Sequence, residues 1–242
     1  MKIGVAQTRP VKGDIPRNIA GHKKLIDLAV TCGAGMIVFP ELSITGYEPE
    51  LAKELATDKD DQRFNDFQKI SDEKHITIGI GMPLKSDTGI LISMIIFQPQ
   101  QPRQVYHKQY LHEDEIPYFV NGPSQNVLAN SPDKISLAIC YEISVPEHSE
   151  KAFKNGSGIY LASVAKSVSG VEKAVKGLSE TAHNYSMTVL MSNCIGHCDN
   201  FDCGGKTSIW NNKGLLMGQL DDISEGILII DTQTQEVTEK KL

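Results

Sequence analysis

Short apolar runs, each bounded by glycine or by polar residues, recur along the chain and constrain its fold more than any other feature. Several of these runs alternate with stretches of helical periodicity, which is typical of α/β folds. The runs predict strands at residues 2–7, 36–39, 76–81, 89–97, 104–107, 135–139, 159–161, 188–194, 207–210, 215–219 and 226–231. Because strands outnumber helices, we predict two sheets packed on each other with helices outside. A doubly wound single sheet is the alternative.

Helical periodicity is clearest after the first strand. Apolar residues at positions 25, 28, 29 and 32 share one helix face, and Asn18 is predicted to cap that helix. Further helices are predicted at residues 60–74 and 171–185. The runs between residues 76 and 107 follow one another with only turns between them, so we expect antiparallel neighbours there.

The balance of charged residues excludes some classes of partner. The chain of 242 residues has 24 Lys plus Arg and 30 Asp plus Glu, a net charge of −6. It therefore lacks the basic excess that nucleic-acid and membrane-surface binders use. No repeat or linker divides the sequence, and we predict a single domain over residues 1–242. The first apolar stretch is too short for a secretory leader, which predicts a cytoplasmic protein with reduced cysteines.

Three reactive side chains, Glu41, Lys108 and Cys140, lie at the ends of predicted strands. In α/β folds the carboxyl ends of strands carry catalytic groups. A neutral thiol is a poor nucleophile, so Cys140 needs a base, and Glu41, desolvated between two sheets, is the candidate. Lys108 is the candidate for stabilising the negative charge that attack on an amide or nitrile produces, with the backbone N–H of Tyr141 as a second donor.

The residues around these three side chains resemble a known family. Three segments occur in order, namely Phe39-Pro40-Glu41-Leu42 with Thr45-Gly46-Tyr47, Tyr106-His107-Lys108 with Leu111, and Cys140-Tyr141-Glu142 with Pro146-Glu147. Together they resemble the signature segments of the nitrilase superfamily, the carbon–nitrogen hydrolases. The resemblance extends from about residue 2 to residue 231. It implies a four-layer α-β-β-α sandwich and an amidase-like enzyme.

The resemblance also implies roles for the three side chains. Glu41 would be the general base, Lys108 the group that stabilises transition-state charge, and Cys140 the nucleophile. The implied reaction is hydrolysis of a small linear amide or an N-carbamoyl compound through a thioester, with release of ammonia or an amine. Neither a metal nor an organic cofactor is needed for it. By analogy with the family, we expect a homodimer or a larger homo-oligomer.

A second glutamate, which positions the substrate in many family members, follows the lysine. Both Glu113 and Glu115 are candidates. Glu115 fits better, because the aromatic pair and the glycine that come next then match the family pattern. The substrate-binding residues that we predict from the resemblance are Glu115, Tyr47, Tyr141 and Glu142.

Departures from the family pattern leave the substrate open. The chain reads Ala162-Ser163-Val164-Ala165 where the family commonly has a tryptophan. A nitrilase in the strict sense is the alternative enzyme, although such enzymes tend to have tryptophan at the position of Tyr141. A non-enzymatic relative that uses the scaffold for interaction is the other alternative. The presence of all three reactive residues speaks against it.

Four metal-ligating side chains lie close together in the sequence, at Cys194, His197, Cys198 and Cys203. Their spacing contains no CxxC pair, and part of the group falls in a predicted strand. We therefore predict no metal site. We interpret Cys194 as a buried residue at a strand end, and Cys198 and Cys203 as thiols in a loop.

Overall fold

A computed structural model of the protein describes residues 1–124 and 134–242. In this part of the chain the helices are α1 (Ile15–Thr31), α2 (Ala52–Leu55), α3 (Asn65–Lys74), α4 (Pro146–Lys154) and α5 (Val168–Tyr185). Short 3-10 helices lie at Pro49–Leu51, Gln62–Phe64 and Cys140–Ser144. The strands are β1 (Lys2–Gln7), β2 (Met36–Val38), β3 (Thr77–Ser86), β4 (Gly89–Phe97), β5 (Gln104–His107), β6 (Ile135–Ile139), β7 (Ile159–Ser163), β8 (Thr188–Ser192), β9 (Ile195–Cys198), β10 (Phe201–Gly204), β11 (Ser208–Trp210), β12 (Leu216–Gln219), β13 (Gly226–Asp231) and β14 (Val237–Lys241).

The described strands form two large sheets and one hairpin. The first sheet has the order β14-β13-β1-β2-β3-β4-β5, the second has the order β12-β11-β8-β7-β6, and β9 pairs with β10. In the first sheet β1, β2 and β3 are parallel, and in the second β6, β7 and β8 are parallel. The antiparallel neighbours that we predicted between residues 76 and 107 are confirmed by the pairs β3-β4 and β4-β5.

Apolar side chains on both faces of the first sheet join the layers. Ile3 and Val5 of β1 belong to the core between the sheets, together with Leu161 of β7. Ala6 faces the opposite side and packs in a second core with Phe67 of α3, as the alternation of side chains along a strand requires. α5 packs on the second sheet against β8 and β11. The predicted four-layer sandwich is confirmed, and the alternative of a doubly wound single sheet is wrong.

The start of α1 differs from our prediction. Asp14 is the residue that caps this helix, because its Oδ1 accepts the backbone N–H of Arg17 at 3.1 Å. Asn18 lies inside the helix and is buried. Its side chain bonds the backbone N–H and carbonyl of Val11 and the carbonyl of Ile44. A polar residue that is used in a tertiary contact was therefore mistaken for a cap.

The region after β8 also differs from our prediction. The strand predicted at 188–194 ends at Ser192, and the hairpin of β9 and β10 follows it. Cys198 and Cys203 lie on this hairpin and are buried, so their assignment to a loop is wrong. The short strands escaped prediction because their glycines and polar residues leave no apolar run. The strand β14 escaped for the same reason, since it is an edge strand rich in charged residues.

No helix among the described residues combines the length and the apolar character that crossing a membrane requires. The prediction of a single domain over residues 1–242 stays a prediction.

Candidate active site

The strand ends of the two sheets bring four reactive side chains to one buried place. Lys108 Nζ donates to Glu41 Oε1 at 2.7 Å and to Glu115 Oε1 at 2.6 Å. All three side chains are almost completely buried. Cys140 interacts with the Glu41 carboxylate and with the Lys108 ammonium. An ammonium between two carboxylates beside a thiol is therefore the central feature of this site.

Glu41 lies in a tight turn that follows β2. The next residue, Leu42, has φ of 49°, and the turn lies against β3 at Gly81. A Cβ atom at Gly81 would lie 2.3 Å from the Leu42 nitrogen and 2.5 Å from the Pro40 oxygen. Only glycine allows the two backbones to approach so closely, because any side chain would clash with backbone atoms. The position of Glu41 thus depends on the absence of a side chain in a neighbouring strand.

Lys108 is held by backbone hydrogen bonds on both sides. Its N–H donates to the Ile92 carbonyl at 2.9 Å, and its carbonyl accepts the N–H of Gly122 at 2.7 Å. Burial favours the neutral amine, but the charges of Glu41, Cys140 and Glu115 outweigh burial and raise the pKa of Lys108. The side chain is therefore a fixed cation at neutral pH.

Glu115 has hydrogen-bond donors on both carboxylate oxygens. Its Oε1 accepts from Lys108 and from the Tyr47 hydroxyl at 3.0 Å, and its Oε2 accepts the His112 N–H at 2.8 Å. Glu113 is exposed at the surface. The structure thus places Glu115, and not Glu113, beside Lys108. It also gives the Tyr47 hydroxyl a protein partner, so Tyr47 acts in this site by holding Glu115.

Cys140 begins the 3-10 helix that follows β6. Its φ of 44° is unusual for a residue with a side chain, and strained backbone of this kind concentrates at functional sites. The side chain is 8% exposed, and Sγ lies 3.9 Å from the Ala165 carbonyl oxygen. Burial and the Glu41 charge raise the pKa of the thiol to about 11, while Lys166 and Lys108 act in the opposite direction. The resting side chain is consequently a neutral thiol that needs a base.

Glu41 is placed to be that base. Burial and the charge of Glu115 raise the pKa of Glu41, against the lowering effect of Lys108 and of the Cys140 thiol. Its Oε1 accepts from Lys108, whereas its Oε2 has no hydrogen-bond partner among the described residues. A buried carboxylate oxygen without a donor is costly unless it is used. Because the Glu41 carboxylate interacts with the Cys140 thiol, it is available as the proton acceptor.

A cavity adjoins the nucleophile turn. It measures about 740 Å³ and lies between α5 and the residues around Tyr141. His112, Tyr141 and Lys166 are among its lining residues. The rings of His112 and Tyr141 meet edge to face with centroids 5.2 Å apart. Tyr141 directly follows Cys140 in the chain, so the cavity lies beside the nucleophile turn, although Cys140 itself does not line it.

Glu142 was predicted to bind substrate, and the structure gives it a different task. The residue is completely buried. Its Oε1 accepts the N–H of Gln109 at 2.5 Å, and its Oε2 accepts the N–H of Ile139 at 2.7 Å and the Tyr106 hydroxyl at 2.8 Å. Burial raises its pKa to about 7. Because protein donors occupy both oxygens, Glu142 braces the Cys140 turn against the Lys108 segment and does not join the site.

Lys166 was missed by the sequence reasoning. It follows the carboxyl end of β7, whose register places Ser163 opposite Ile139 of β6, the residue before Cys140. The rule that strand ends carry functional groups therefore applied to Lys166 as well. It was overlooked because neither the family segments nor an apolar run drew attention to it.

Three cysteines form a second cluster outside this site. The Sγ atoms of Cys194, Cys198 and Cys203 all lie within 4.8 Å of one another, and all three residues are buried. Hydrogen bonding by the Cys194 and Cys203 thiols, together with the Tyr47 backbone N–H, lowers the pKa of Cys198 to about 4. Among the described residues this is the group with the composition to hold a metal ion.

A family model described as carbon-nitrogen hydrolase matches residues 2–241 of the chain. The chain belongs to the carbon–nitrogen hydrolase family.

Curated relatives of the chain include proteins of different lengths. It is 24% identical to a glutamine-dependent NAD(+) synthetase of Thermotoga maritima, over 98% of this chain and 42% of that protein. It is 21% identical to a protein named hydrolase in agr operon of Staphylococcus aureus, over 100% of this chain and 94% of that protein. The chain thus spans less than half of the synthetase.

Solved structures share the fold of this chain. An amidase from Nesterenkonia sp. AN1, in a mutant complex with butyramide, superposes with a TM-score of 0.85 at 22% identity, over 97% of this chain and 92% of that chain. Another mutant of that amidase shows covalent addition of the acetamide moiety of fluoroacetamide at its active site cysteine, with a TM-score of 0.84 at 22% identity, over 96% and 89% of the two chains.

Proposed function

We propose that this protein hydrolyses the C–N bond of a small linear amide or N-carbamoyl compound, with Cys140 as nucleophile. The observation that carries the proposal is the buried Lys108 ammonium between Glu41 and Glu115, with the Cys140 thiol beside it. Such a group combines a base, a fixed positive charge and a nucleophile in one water-poor place, which is what acyl transfer requires.

The first half-reaction forms a thioester. Glu41 takes the proton of the Cys140 thiol while Sγ attacks the carbonyl carbon, and the carbonyl oxygen becomes negative. Lys108 Nζ stabilises this oxygen, with the Tyr141 backbone N–H as the second donor. Glu41 then gives its proton to the leaving nitrogen, the C–N bond breaks, and ammonia or an amine departs.

The second half-reaction restores the enzyme. A water molecule attacks the thioester carbon while Glu41 takes one of its protons. The C–S bond breaks, and the thiolate of Cys140 recovers the proton from Glu41. The products are a carboxylic acid, or the corresponding carbamic acid, and the free thiol. No oxidant, metal or organic cofactor enters this sequence of steps.

Glu115 and Tyr47 make the positive charge effective. Two carboxylates share the Lys108 ammonium, and Tyr47 and His112 hold Glu115 in position. A fixed cation stabilises a developing oxyanion without any reorganisation at the moment of reaction. We therefore assign Glu115 to the positioning of Lys108 and of the substrate.

A solved amidase structure and the residue after the nucleophile favour an amidase over a nitrilase in the strict sense. The amidase that superposes on this chain carries an acetamide moiety on its active site cysteine, which supports a thiol nucleophile here. Tyr141 follows the nucleophile in this chain, whereas dedicated nitrilases tend to have tryptophan. We further propose a cytoplasmic homodimer or larger homo-oligomer, by analogy with the family.

Ammonia release over a panel of short amides, N-carbamoyl amines and nitriles tests this function. We expect turnover of amides or carbamoyl compounds, its loss in Cys140→Ala, and unchanged turnover in Cys32→Ser, which alters a cysteine at the end of α1. Turnover by Cys140→Ala close to that of the wild type would contradict the mechanism. Turnover confined to nitriles would favour the nitrilase alternative. Equal alkylation of all five cysteines by iodoacetamide, with no turnover of any compound, would favour a non-enzymatic relative.

A further inference from the structure

The three clustered cysteines occupy one face of the β9-β10 hairpin. Cys194 precedes β9, Cys198 ends it, and Cys203 lies on β10 opposite Gly196. Residues 194, 196 and 198 alternate to the same face of an extended chain, and the partner of Gly196 shares that face. Three thiols thus converge by the pleat of the hairpin, although they lie four to nine positions apart in the sequence.

The other face of the hairpin is different in character. His197 points outward, where its Nδ1 lies 3.0 Å from Asp202 Oδ1. The side chains of these two residues are 68% and 75% exposed. Among the described residues, the cluster therefore contains three cysteine ligands and no histidine or carboxylate. The donor set is purely sulfur.

The sulfur positions suit a single ion. Metal–sulfur bonds of about 2.3 Å in a tetrahedral or trigonal site require sulfur atoms about 3.8 to 4.0 Å apart. Here Cys194 Sγ and Cys203 Sγ are 3.0 Å apart, and every pair lies within 4.8 Å. The observed separations lie on both sides of the required value, so side-chain rotations are sufficient to close the site around an ion.

The surrounding backbone holds the three cysteines in place. Gly205 donates its N–H to the Cys194 carbonyl at 3.0 Å, and Gly204 donates to the Lys166 carbonyl at 2.8 Å. The Tyr47 backbone N–H donates to Cys198 Sγ. Backbone donors to sulfur are the supporting contacts that orient thiolate ligands in metal sites. The frame is therefore present before any ion binds.

We propose that Cys194, Cys198 and Cys203 form a binding site for one thiophilic d¹⁰ metal ion, such as Zn²⁺, Cd²⁺ or Cu⁺. Thiolates are the ligands that these ions prefer, and three of them in a buried pocket exclude the hard cations Mg²⁺ and Ca²⁺. On binding, the thiol protons pass to the solvent and metal–sulfur bonds replace the S–H bonds. A divalent ion would complete its coordination with one solvent ligand.

The site lies next to the candidate active site. Tyr47 joins the two, because its backbone N–H contacts Cys198 and its hydroxyl contacts Glu115. Phe201 of the hairpin also packs against the Tyr47 ring, with centroids 5.8 Å apart. The metal site does not rest on the proposed hydrolase function, and binding can be measured in a protein without turnover.

The test uses the whole chain with Cys140→Ala, so that the candidate nucleophile does not contribute a thiolate. The protein is reduced, freed of the reductant by anaerobic desalting, and titrated anaerobically with Cd²⁺, and separately with Cu⁺. We expect thiolate-to-metal charge-transfer absorption that saturates at one ion per chain in at least one of the two titrations. In the same background Cys198→Ser should weaken binding at least about a hundredfold, because it removes a ligand. Cys32→Ser should leave binding unchanged.

Alkylation of the wild-type chain gives a measurement that needs no cluster variant. Saturating ion should slow the alkylation of Cys194, Cys198 and Cys203 by a maleimide relative to the ion-free protein, while the rate at Cys32 should not change. Absence of uptake of both ions, or uptake that Cys198→Ser leaves intact, would overturn the proposal. A Cys194–Cys203 disulfide in the air-exposed protein, seen as a mass lower by two hydrogens, would also overturn the proposal if the reduced protein then took up no metal.

Discussion

At the scale of single residues, the site is governed by charges that share one buried space. Lys108 satisfies two carboxylates, and the Cys140 thiol meets both Glu41 and two lysines. Burial raises the pKa of Glu41 and of Cys140. Both groups therefore have an increased affinity for the proton that passes from the thiol to the carboxylate during attack. The chemistry therefore depends on keeping these neighbours fixed.

Removal of the fixed cation tests its role. In Lys108→Met we expect kcat to fall at least about a hundredfold, because a donor to the oxyanion is lost. Steady-state kinetics on the best substrate of the panel measures the change. If KM rose while kcat stayed constant, Lys108 would bind the ground state and the transition state equally, and its special role in the transition state would be contradicted. Circular dichroism should accompany the assay, since the change leaves Glu41 and Glu115 buried without a partner.

Lys166 offers a second test at this scale, on the reactivity of the thiol. Its charge lowers the pKa of Cys140, so its removal should raise that pKa above about 11. In Lys166→Met the rate of Cys140 alkylation by iodoacetamide should reach half of its plateau at a higher pH than in the wild type. Lys166→Arg keeps the charge and should keep the wild-type profile. An unchanged profile in Lys166→Met would show that this lysine does not act on the thiol.

At the scale of elements, close contacts between backbones position the reactive side chains. The segment that carries Lys108 is joined to Gly122 by a backbone hydrogen bond, and the turn that carries Glu41 lies against Gly81 of β3. Glu142 ties the 3-10 helix of Cys140 to the same Lys108 segment. Three separate strand ends are thus locked to one another by groups outside the site.

Gly122→Ala tests this locking. A Cβ atom at Gly122 would lie 2.4 Å from His107 Cβ and 3.0 Å from the Lys108 oxygen. We expect the free energy of unfolding to fall by about 1 to 3 kcal/mol, as for other overpacked sites, and kcat to fall with it. Gly21→Ala, in α1 with open space around it, should instead stabilise by about 0.5 to 1 kcal/mol. Urea unfolding of both variants gives the comparison, and equal effects would contradict the role of Gly122.

At the scale of the whole molecule, buried histidines make stability depend on acid. His22 lies between α1 and the first sheet, stacked on Phe39, with Ser43 and the Asn18 carbonyl as partners. Burial lowers its pKa to about 4, and burial likewise lowers that of His148 to about 4. Below pH 6.5 these histidines become protonated in the unfolded chain but stay neutral in the folded protein. Stability is therefore lost as the pH falls from 6.5 towards 4.

His22→Gln should remove part of this dependence. The contribution of His22 to the loss is about 3 kcal/mol at pH 4 relative to pH 7, from the difference between 6.5 and about 4. The slope of unfolding free energy against pH, from urea titrations, should be shallower in His22→Gln between pH 6.5 and 4. In His197→Gln the slope should not become shallower, because the hydrogen bond to Asp202 raises the pKa of this exposed histidine instead of lowering it. Parallel curves for wild type and His22→Gln would contradict a buried neutral histidine.

The sequence by itself determined the strands with continuous apolar runs, the two-sheet sandwich and the family. It also determined three strand-end residues, Glu41, Lys108 and Cys140, as candidates, because local runs and family segments are short-range signals. The tertiary structure decided what depends on distant partners. It placed Glu115 beside Lys108 and directed Glu142 away from the site.

The three cysteines show the same division most clearly. Their spacing in the sequence argued against a metal site, since no CxxC pair is present. The hairpin of β9 and β10 contains no apolar run from which it could be predicted. Its pleat places all three thiols on one face. Strand pairing and register decide which side chains share a face, and residue propensity does not report them. Only the folded chain therefore brings these sulfur atoms together.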